Sequence, residues 1–168
     1  MYSITIDSSL SHIARYLDLP DKLMEGKQLK RVQSRRILIT GASSGIGFQA
    51  AIRMIQSGHS LVIPCRDEKT SVLTHEKLIE KCPNLSSNAS FLSTPILDLS
   101  DLNSVRRFTD SLIKDGSSVD TLVLNAGLQY TGSNLKRESV QGYELTFAVN
   151  HLSHQAIVQK ILPINLLW

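Results

Sequence analysis

The chain has 168 residues, of which 42% are hydrophobic and 20% are charged, and its formal net charge is +3. This length is that of one ordinary domain, and the composition allows a packed core and excludes a disordered polar chain. Acidic residues interrupt the amino-terminal region and no apolar run could span a bilayer, so we expect neither a secretory leader nor a transmembrane segment. Cys65 and Cys82 are too few for a disulfide framework, and a reducing compartment such as the cytoplasm is expected.

Residues 1–34 are predicted to form a lead-in that is separate from the domain at 35–168. A short helix is predicted before Pro20, because apolar residues share one helical face there: Leu10, Ile13, Ala14 and Leu17. Lysines and arginines are concentrated between residues 21 and 36 without a nucleic-acid motif, so we expect no nucleic-acid partner. A solvated basic segment is the favoured interpretation, and peripheral contact with an anionic membrane surface stays open as the alternative.

From residue 36 onwards, apolar β-branched runs alternate with helical periodicity. Strands are predicted at 37–40, 60–63, 91–97 and 121–124, and helices at 46–56, 67–81, 101–114 and 142–162, with Ser100 as the N-cap of the third helix. This alternation predicts an α/β fold with a Rossmann-like, doubly wound parallel sheet that has helices on both faces. We expect the strand order 3-2-1-4, in which the first and fourth strands are neighbours.

A glycine-rich turn joins the first predicted strand to the first predicted helix, with the sequence T-G-A-S-S-G-I-G at 40–47. Gly41 permits the sharp turn, Gly45 permits close approach of a pyrophosphate, and Gly47 permits tight packing of the helix on the strand. The helix N-terminus offers N–H groups and a positive dipole end to phosphates. The hydroxyls of Ser43 and Ser44 add two further donors.

A second corner, Asn125-Ala126-Gly127, follows the fourth predicted strand. Ligands of open parallel sheets bind at the carboxyl ends of the strands, near the point where the strand order reverses. Because the first and fourth strands flank that point, we expect this corner to lie beside the glycine-rich turn. Asp98-Leu99, just after the third strand, is predicted to border an adenine ring.

The end of the second strand bears on the choice of dinucleotide, and Cys65, Arg66 and Asp67 stand there. An acidic side chain at this place accepts a bond from a ribose 2′-hydroxyl, whereas an arginine nearby accommodates a 2′-phosphate. Cys65 occupies the acidic position and Arg66 follows it, which favours NADP(H) over NAD(H). Asp67 keeps NAD(H) open as the alternative.

Four motifs in this order resemble the short-chain dehydrogenase/reductases: T-G-A-S-S-G-I-G at 40–47, Asp98-Leu99, Leu124-Asn125-Ala126-Gly127 and V-N-H-L-S-H at 149–154. Three further segments are most similar to the branch that contains retinol dehydrogenases and light-dependent protochlorophyllide reductases. They are C-R-D at 65–67, S-V-R-R-F at 104–108 and G-Y-E-L at 142–145. The resemblance covers about residues 35–163, and only the amino-terminal portion of the family's domain.

The resemblance implies an NADP(H)-dependent oxidoreductase that transfers a hydride between nicotinamide and a carbonyl, an alcohol or an activated double bond. The residues matched to the pyrophosphate site are Gly41, Ser43, Gly45, Ile46 and Gly47. Arg66 is matched to the 2′-phosphate, Asp98 and Leu99 to the adenine, and Asn125, Ala126 and Gly127 to the ribose beside the nicotinamide. Asn150 matches the asparagine of the family's catalytic helix, which helps to hold a water and the active-site lysine.

The family's proton donor is a tyrosine four residues before a lysine, with a serine upstream, and this chain departs from that pattern. The residues four positions after its tyrosines are Ile6, Pro20, Asn134 and Phe147. We therefore expect a catalytically incomplete chain whose sheet is truncated after about four strands. A non-catalytic NADP(H)-binding module and an interaction fragment stay open as alternatives.

The remaining expectations concern partners and metals. In a sheet of four strands the last strand has an open edge, which a second copy or a partner chain would cover. His151 and His154 stand at i and i+3 of the last predicted helix, but no third ligand follows at helical spacing, so no metal site is expected. The residues that would select a small-molecule substrate are not recognisable.

Overall fold

The computed structural model describes residues 34–83, 92–116, 118–129 and 137–165, with the side chains of 163–165 left aside. The predicted helix around Leu10–Leu17 and most of the basic segment lie outside the described residues. The division at residue 34 therefore stays a prediction. Within the described part of the chain, no helix combines the length and the apolar character that crossing a bilayer requires.

Four short parallel strands form one sheet: β1 Arg36–Ile39, β2 Ser60–Val62, β3 Leu92–Ser93 and β4 Thr121–Val123. Their order is β3-β2-β1-β4, which confirms the predicted order. Ile37 of β1 stands opposite Leu61 on one side and Thr121 on the other. The carboxyl ends of β1 and β4 are therefore adjacent, and the loops that follow them meet at one edge of the sheet.

The helices are α1 Gly45–Gln56, α2 Glu68–Lys81, α3 Leu102–Lys114, α4 Leu145–Phe147 and α5 Ser153–Asn165. A π-helical turn, Ala148–Leu152, joins α4 to α5. The first three helices begin within one residue of the predicted starts. Asp101, and not Ser100, is the N-cap of α3, because its carboxylate accepts the N–H of Asn103 while Ser100 bonds to Asp98.

The predicted start of the last helix at Gly142 is wrong. Gly142 has a φ of +81°, which is left-handed backbone and cannot belong to a right-handed helix. The helix begins at Leu145, where the Glu144 carboxylate accepts the N–H groups of Thr146 and Phe147. The π-helical turn then widens the backbone in a region for which periodicity predicts one continuous α-helix.

The third strand is shorter than the predicted span 91–97. Among the described residues, β3 has only Leu92 and Ser93, and Pro95, which has no N–H to donate, follows closely. Pairing continues beyond the strand as a single bridge, in which the Cys65 N–H donates to Pro95 O and the Leu97 N–H donates to Cys65 O. This bridge holds together the segments that follow β2 and β3 at their carboxyl ends.

Two apolar layers cover the two faces of the sheet. Consecutive strand residues point to opposite faces, so Ile37 and Ile39 pack with α1 and α2, whereas Leu38 packs with α3 and α5. The first layer includes Ala51, Ile55, Leu61 and Leu78, and the second includes Val62, Val105, Phe108, Ile157 and Ile161. Full burial of each large aliphatic side chain contributes about 2 kcal/mol. The predicted doubly wound architecture is confirmed.

Candidate functional site

Thr40, the residue after β1, joins the two predicted corners. Its buried Oγ1 accepts the N–H groups of Asn125 and Ala126, each at 3.0 Å. In the other direction, Nδ2 of Asn125 donates to the carbonyl oxygens of Thr40 at 3.0 Å and Gly41 at 3.2 Å. The expectation that the glycine-rich turn and the Asn-Ala-Gly corner lie side by side is confirmed.

Two glycines of the turn are required by protein packing. Gly41 has a φ of +69°, and a Cβ on it would lie 2.6 Å from Cα of Ala126. A Cβ on Gly47 would overlap the carbonyl oxygen of Gly41 and lie 2.5 Å from Nδ2 of Asn125. Any side chain at either position would push the turn away from the Asn-Ala-Gly corner.

Gly45 differs from these two, because it faces open space. Its φ is +57°, and a Cβ on it would meet no atom within 4 Å. The neighbouring Ile46 is 86% exposed, although it is a large apolar side chain in the first turn of a helix. The surface around Gly45 and Ile46 is therefore open and in part apolar, as a surface that a ligand covers would be.

The amino end of α1 differs from a capped helix end, since among the described residues no carboxylate accepts its first N–H groups. Ser44 is the N-cap but makes no side-chain capping bond, and the first turn contains no acidic residue. The positive end of the helix dipole and the backbone N–H groups of the first turn thus stay available to an external anion. The hydroxyls of Ser43 and Ser44 belong to the same turn.

The three residues Cys65, Arg66 and Asp67, which follow β2, lie in different surroundings. Cys65 is buried, and that burial raises the pKa of its thiol. Asp67 caps α2, since its Oδ1 accepts the N–H and the hydroxyl of Thr70 at 2.8 Å each, and these bonds lower the pKa of the carboxyl. The Arg66 side chain is 76% exposed, with Nε 3.4 Å from Oδ2 of Asp67. Of the three side chains, that of Arg66 is the most exposed.

Asp98 and Leu99 form the start of the loop that leads to α3. Oδ1 of Asp98 accepts both the N–H and the hydroxyl of Ser100, at 2.8 and 2.7 Å. Leu99 is partly buried against the apolar layer of α3 and α5, and its carbonyl accepts the hydroxyl of Ser153 at 2.7 Å. Both residues lie near the carboxyl ends of the strands, and their contact with an adenine stays a prediction.

Asn150 lies in the π-helical turn and pairs with the segment that follows the Asn-Ala-Gly corner. Its Oδ1 accepts the Leu128 N–H and its Nδ2 donates to the Leu128 carbonyl, both at 2.8 Å. A Cβ on Gly127 would lie 3.5 Å from the same Oδ1, which is ordinary contact. The side chain of Asn150 thus holds the backbone of the corner in place.

The two histidines of the V-N-H-L-S-H motif lie in different surroundings. His154 is buried, with Nε2 3.0 Å from Oγ1 of Thr40 and Nδ1 3.2 Å from the Asn150 carbonyl oxygen, and burial lowers the pKa of its ring. His151 is exposed and stacks on Phe147 at a centroid distance of 5.3 Å. Within the described ranges, no three side chains of the metal-binding types converge.

Sequence reasoning missed Thr40 and His154 as parts of this arrangement. Thr40 stands at the first position of the glycine-rich motif, but nothing in the spacing shows that its hydroxyl meets the loop after β4. His154 is 114 positions away from Thr40 in the chain, and only the packing of α5 beneath the sheet edge brings the two together. A polar residue at the end of an apolar strand was the available signal.

The arrangement has the features of a site for a phosphate-bearing ligand. It offers an uncapped helix amino end, a glycine with free space above it, two serine hydroxyls and an exposed guanidinium. A pyrophosphate fits the first three, because helix N–H groups and hydroxyls donate to its oxygens. The guanidinium of Arg66 is suited to a second, separate phosphate.

Comparison with known proteins agrees with this geometry. A sequence model described as short chain dehydrogenase matches residues 35–166. The chain is 36% identical over 136 residues to a WW domain-containing oxidoreductase of Drosophila melanogaster, covering 79% of this chain and 30% of that protein. It is 29% identical to human retinol dehydrogenase 13 (78% and 37% covered) and 34% identical to the protochlorophyllide reductase of Chlamydomonas reinhardtii (77% and 31%). The chain thus spans about a third of the length of these relatives.

Two solved structures extend the comparison to three dimensions. An active-site complex of RhlG with NADP from Pseudomonas aeruginosa is 28% identical, with a TM-score of 0.57, and the match covers 77% of this chain and 47% of that one. A short-chain dehydrogenase of Sphingobium yanoikuyae, in complex with NADPH, is 25% identical, with a TM-score of 0.60 and coverage of 77% and 48%. In both cases the likeness covers about three quarters of this chain and about half of the other.

Proposed function

We propose a function from the premise that the chain belongs to the short chain dehydrogenase family. The chain binds NADP(H), in preference to NAD(H), at the carboxyl ends of β1 and β4, and it belongs to an oxidoreductase. The observation that supports this most is the junction at Thr40, whose hydroxyl accepts the backbone N–H groups of Asn125 and Ala126. This junction puts the glycine-rich turn and the Asn-Ala-Gly corner at the distance that one dinucleotide could bridge.

In this proposal, the pyrophosphate lies on the amino end of α1, in the space above Gly45. The backbone N–H groups of the first turn and the hydroxyls of Ser43 and Ser44 donate to its oxygens. Ile46, which is 86% exposed, becomes covered by the ligand. The neighbouring Gly41 and Gly47 keep the turn close enough to the sheet for this contact.

The preference for NADP(H) rests on Arg66 and Asp67. The Asp67 carboxylate is engaged in capping α2 through Thr70, so it is a poor acceptor for a ribose 2′-hydroxyl. The exposed guanidinium of Arg66 offers paired N–H donors to a 2′-phosphate. The NADP and NADPH complexes of the two similar structures agree with this preference.

Bound NADPH would supply a hydride to a carbonyl or an activated double bond, and bound NADP⁺ would accept a hydride from an alcohol. The chain's own residues position and enclose the cofactor: Asn125, Ala126 and Gly127 border the ribose beside the nicotinamide, and Asp98 and Leu99 border the adenine. Asn150 secures that corner through Leu128. We assign the protein to a reducing compartment, since its two cysteines are free and buried.

A second candidate is a non-catalytic NADP(H)-binding module, or an interaction fragment that a partner chain completes. It is favoured by one observation, which is that no tyrosine of the sequence stands four residues before a lysine. Hydride transfer to a carbonyl needs a proton for the oxygen, and a tyrosine with a lowered pKa supplies it in the family. β4, which pairs with β1 on one side, is the edge to which such a partner would add.

Titration of the chain with NADPH and with NADH, followed by the fluorescence of the reduced nicotinamide, tests the proposal. We expect NADPH to bind more tightly than NADH. Arg66→Ala should weaken NADPH binding about tenfold and leave NADH binding unchanged, because one charge-assisted contact is lost. Arg53→Ala, which removes an exposed guanidinium from the far end of α1, is the matched control. Equal affinity of the wild-type chain for the two cofactors would contradict the proposed preference.

A panel of carbonyl substrates separates the two candidates. Oxidation of NADPH by any of them supports the oxidoreductase. Tight binding of NADPH without turnover supports the non-catalytic module. Absence of both NADPH binding and a cooperative melt supports the interaction fragment.

A further inference from the structure

The hydroxyl of Thr40 has one partner for its proton and one for each of its two lone pairs. A hydroxyl has one proton to donate and two lone pairs that accept. The N–H groups of Asn125 and Ala126 both point at Oγ1 from 3.0 Å, so they use the two lone pairs. The remaining neighbour is Nε2 of His154, also at 3.0 Å. The proton of Thr40 therefore goes to Nε2, and Nε2 accepts it.

This direction determines the protonation of the imidazole ring. A neutral histidine has a donor on one nitrogen and an acceptor on the other. Since Nε2 accepts from Thr40, the proton of the His154 ring lies on Nδ1, which is 3.2 Å from the carbonyl oxygen of Asn150. A carbonyl can only accept, so the second contact requires the same tautomer as the first.

The geometry points to His154 as a positioning residue of the cofactor site. Its neutral ring, with the proton on Nδ1, orients the Thr40 hydroxyl towards itself and so leaves both lone pairs of that hydroxyl to the backbone of Asn125 and Ala126. Through Nδ1 the ring also ties this junction to the π-helical turn at Asn150. His154 thus holds the Asn-Ala-Gly corner against the glycine-rich turn without touching the ligand.

Three features of the site agree with this role. His154 is 5% exposed, so its ring has no access to bulk water that could replace either partner. Burial lowers the pKa of the ring, which keeps it neutral at pH 7. A second proton on the ring would place an N–H on Nε2 against an oxygen whose lone pairs are already in use. The neutral form is therefore the one that completes the network.

The tautomer is measurable in the chain itself, without any cofactor. Two-dimensional ¹⁵N–¹H NMR of the histidine rings distinguishes an Nδ1–H ring from an Nε2–H ring, and the His154→Gln spectrum assigns the signal. We expect a single Nδ1–H form for His154, and exchange between both forms for the exposed His151. An Nε2–H form of His154 would overturn the inference.

Two substitutions separate the two contacts of the ring. In His154→Gln the side-chain Oε1 can reach the place of Nε2 and accept from Thr40, whereas in His154→Asn the side-chain amide reaches only the place of Nδ1. We expect hydrogen exchange of the Asn125 and Ala126 amides to accelerate about tenfold in the asparagine variant and to stay within about threefold of wild type in the glutamine variant. His151→Gln, which replaces an exposed histidine of the neighbouring π-helical turn, should change neither amide. Amides as well protected in His154→Asn as in wild type would overturn the inference.

The effect of His154 on cofactor binding rests on the proposed function, and the affinity for NADPH is measured apart from the amide exchange. NADPH should bind about tenfold more weakly to His154→Asn than to wild type, and His154→Gln should restore most of the affinity. If wild type does not bind NADPH while the two amides respond as described, the proposed function fails and the positioning role stands. If NADPH binds equally to all three chains, the positioning role fails and the proposed function stands. Should the asparagine variant not fold, the wild-type tautomer and the glutamine variant decide the question.

Discussion

The amino end of α1 differs from the amino ends of α2 and α3 in what satisfies the first backbone N–H groups. Asp67 caps α2 by accepting the Thr70 N–H, and Asp101 caps α3 by accepting the Asn103 N–H. At α1, the Ser44 side chain makes no such bond, and the first turn of the helix contains no acidic residue. A carboxylate cap stabilises a helix and repels other anions. Two helix ends are thus stabilised by a carboxylate cap, while the third lacks one and leaves its first N–H groups to the proposed phosphate.

Gly45 and Gly47 show the same contrast two residues apart. A side chain on Gly47 would overlap the protein, whereas a side chain on Gly45 would enter empty space. Gly47 therefore serves the packing of α1 on the sheet, whereas Gly45 leaves the space in which the proposed pyrophosphate would lie. The predictions that follow break or sharpen these two contrasts.

Gly47→Ala should have the largest effect on the free energy of unfolding, a loss of about 3 kcal/mol, because the rigid backbone of Gly41 cannot move aside. Gly45→Ala should lose only about 1 kcal/mol, from its left-handed φ, while its new methyl group displaces the phosphate and abolishes NADPH binding. Urea unfolding and NADPH titration of both variants check this. Equal losses of stability in the two variants would contradict the assigned roles.

Ser44→Asp gives α1 the kind of cap that α2 and α3 possess. We expect the melting temperature to stay constant or rise, and NADPH binding to weaken more than about tenfold, because a carboxylate then occupies the anion site. Ser44→Asn is the matched control, since asparagine caps without charge and should weaken binding far less. If Ser44→Asp binds NADPH as tightly as wild type, the phosphate does not lie on this helix end.

Asp67→Ala removes the cap of α2 and makes the converse change. The melting temperature should fall by about 3 °C, since the Thr70 N–H loses its acceptor. Asp67→Asn keeps a capping oxygen and should restore the wild-type melting temperature. NADPH binding should persist in both variants, because Arg66 remains in place. A loss of NADPH affinity in both would assign Asp67 to the ligand instead of the helix.

The smallest expected effect is on the pH dependence of stability, through His154. Burial lowers the pKa of the folded ring below its ordinary value of 6.5, so the unfolded chain binds a proton more readily than the folded chain. The contribution of His154 to the free energy of unfolding is therefore fully present above about pH 6.5, and it is lost as the pH falls towards the pKa of the folded ring. The polar partners of the ring, the Thr40 hydroxyl and the Asn150 carbonyl, carry no charge that would offset this.

Urea unfolding at about pH 7.5 and about pH 5.5 measures this effect, with His154→Gln as the non-titrating reference. Wild type should lose more stability on acidification than His154→Gln does. All other ionisable groups are the same in the two chains, so their contributions cancel in the difference. Identical losses would mean that the His154 ring gains its proton equally in the folded and unfolded states.

Local chemistry along the chain was sufficient to predict much of this protein. Alternating apolar runs predicted the four parallel strands and their order, and the glycine spacing at 40–47 predicted the turn. The position of Asn125 after the fourth strand predicted its place beside that turn. These features depend on residues that are neighbours in the chain, or on a topology rule that relates parallel strands.

The contacts between distant residues had no such signal. The Thr40 hydroxyl accepts hydrogen bonds from two amides more than 80 positions away in the chain. His154, which contacts the same hydroxyl, belongs to a helix more than 110 positions away. The π-helical turn at Asn150, where periodicity predicts a plain α-helix, likewise accompanies the pairing of that side chain with Leu128. Hydrogen bonds of this kind arise from the packing of whole elements, which brings polar atoms together in directions that no spacing in the sequence records.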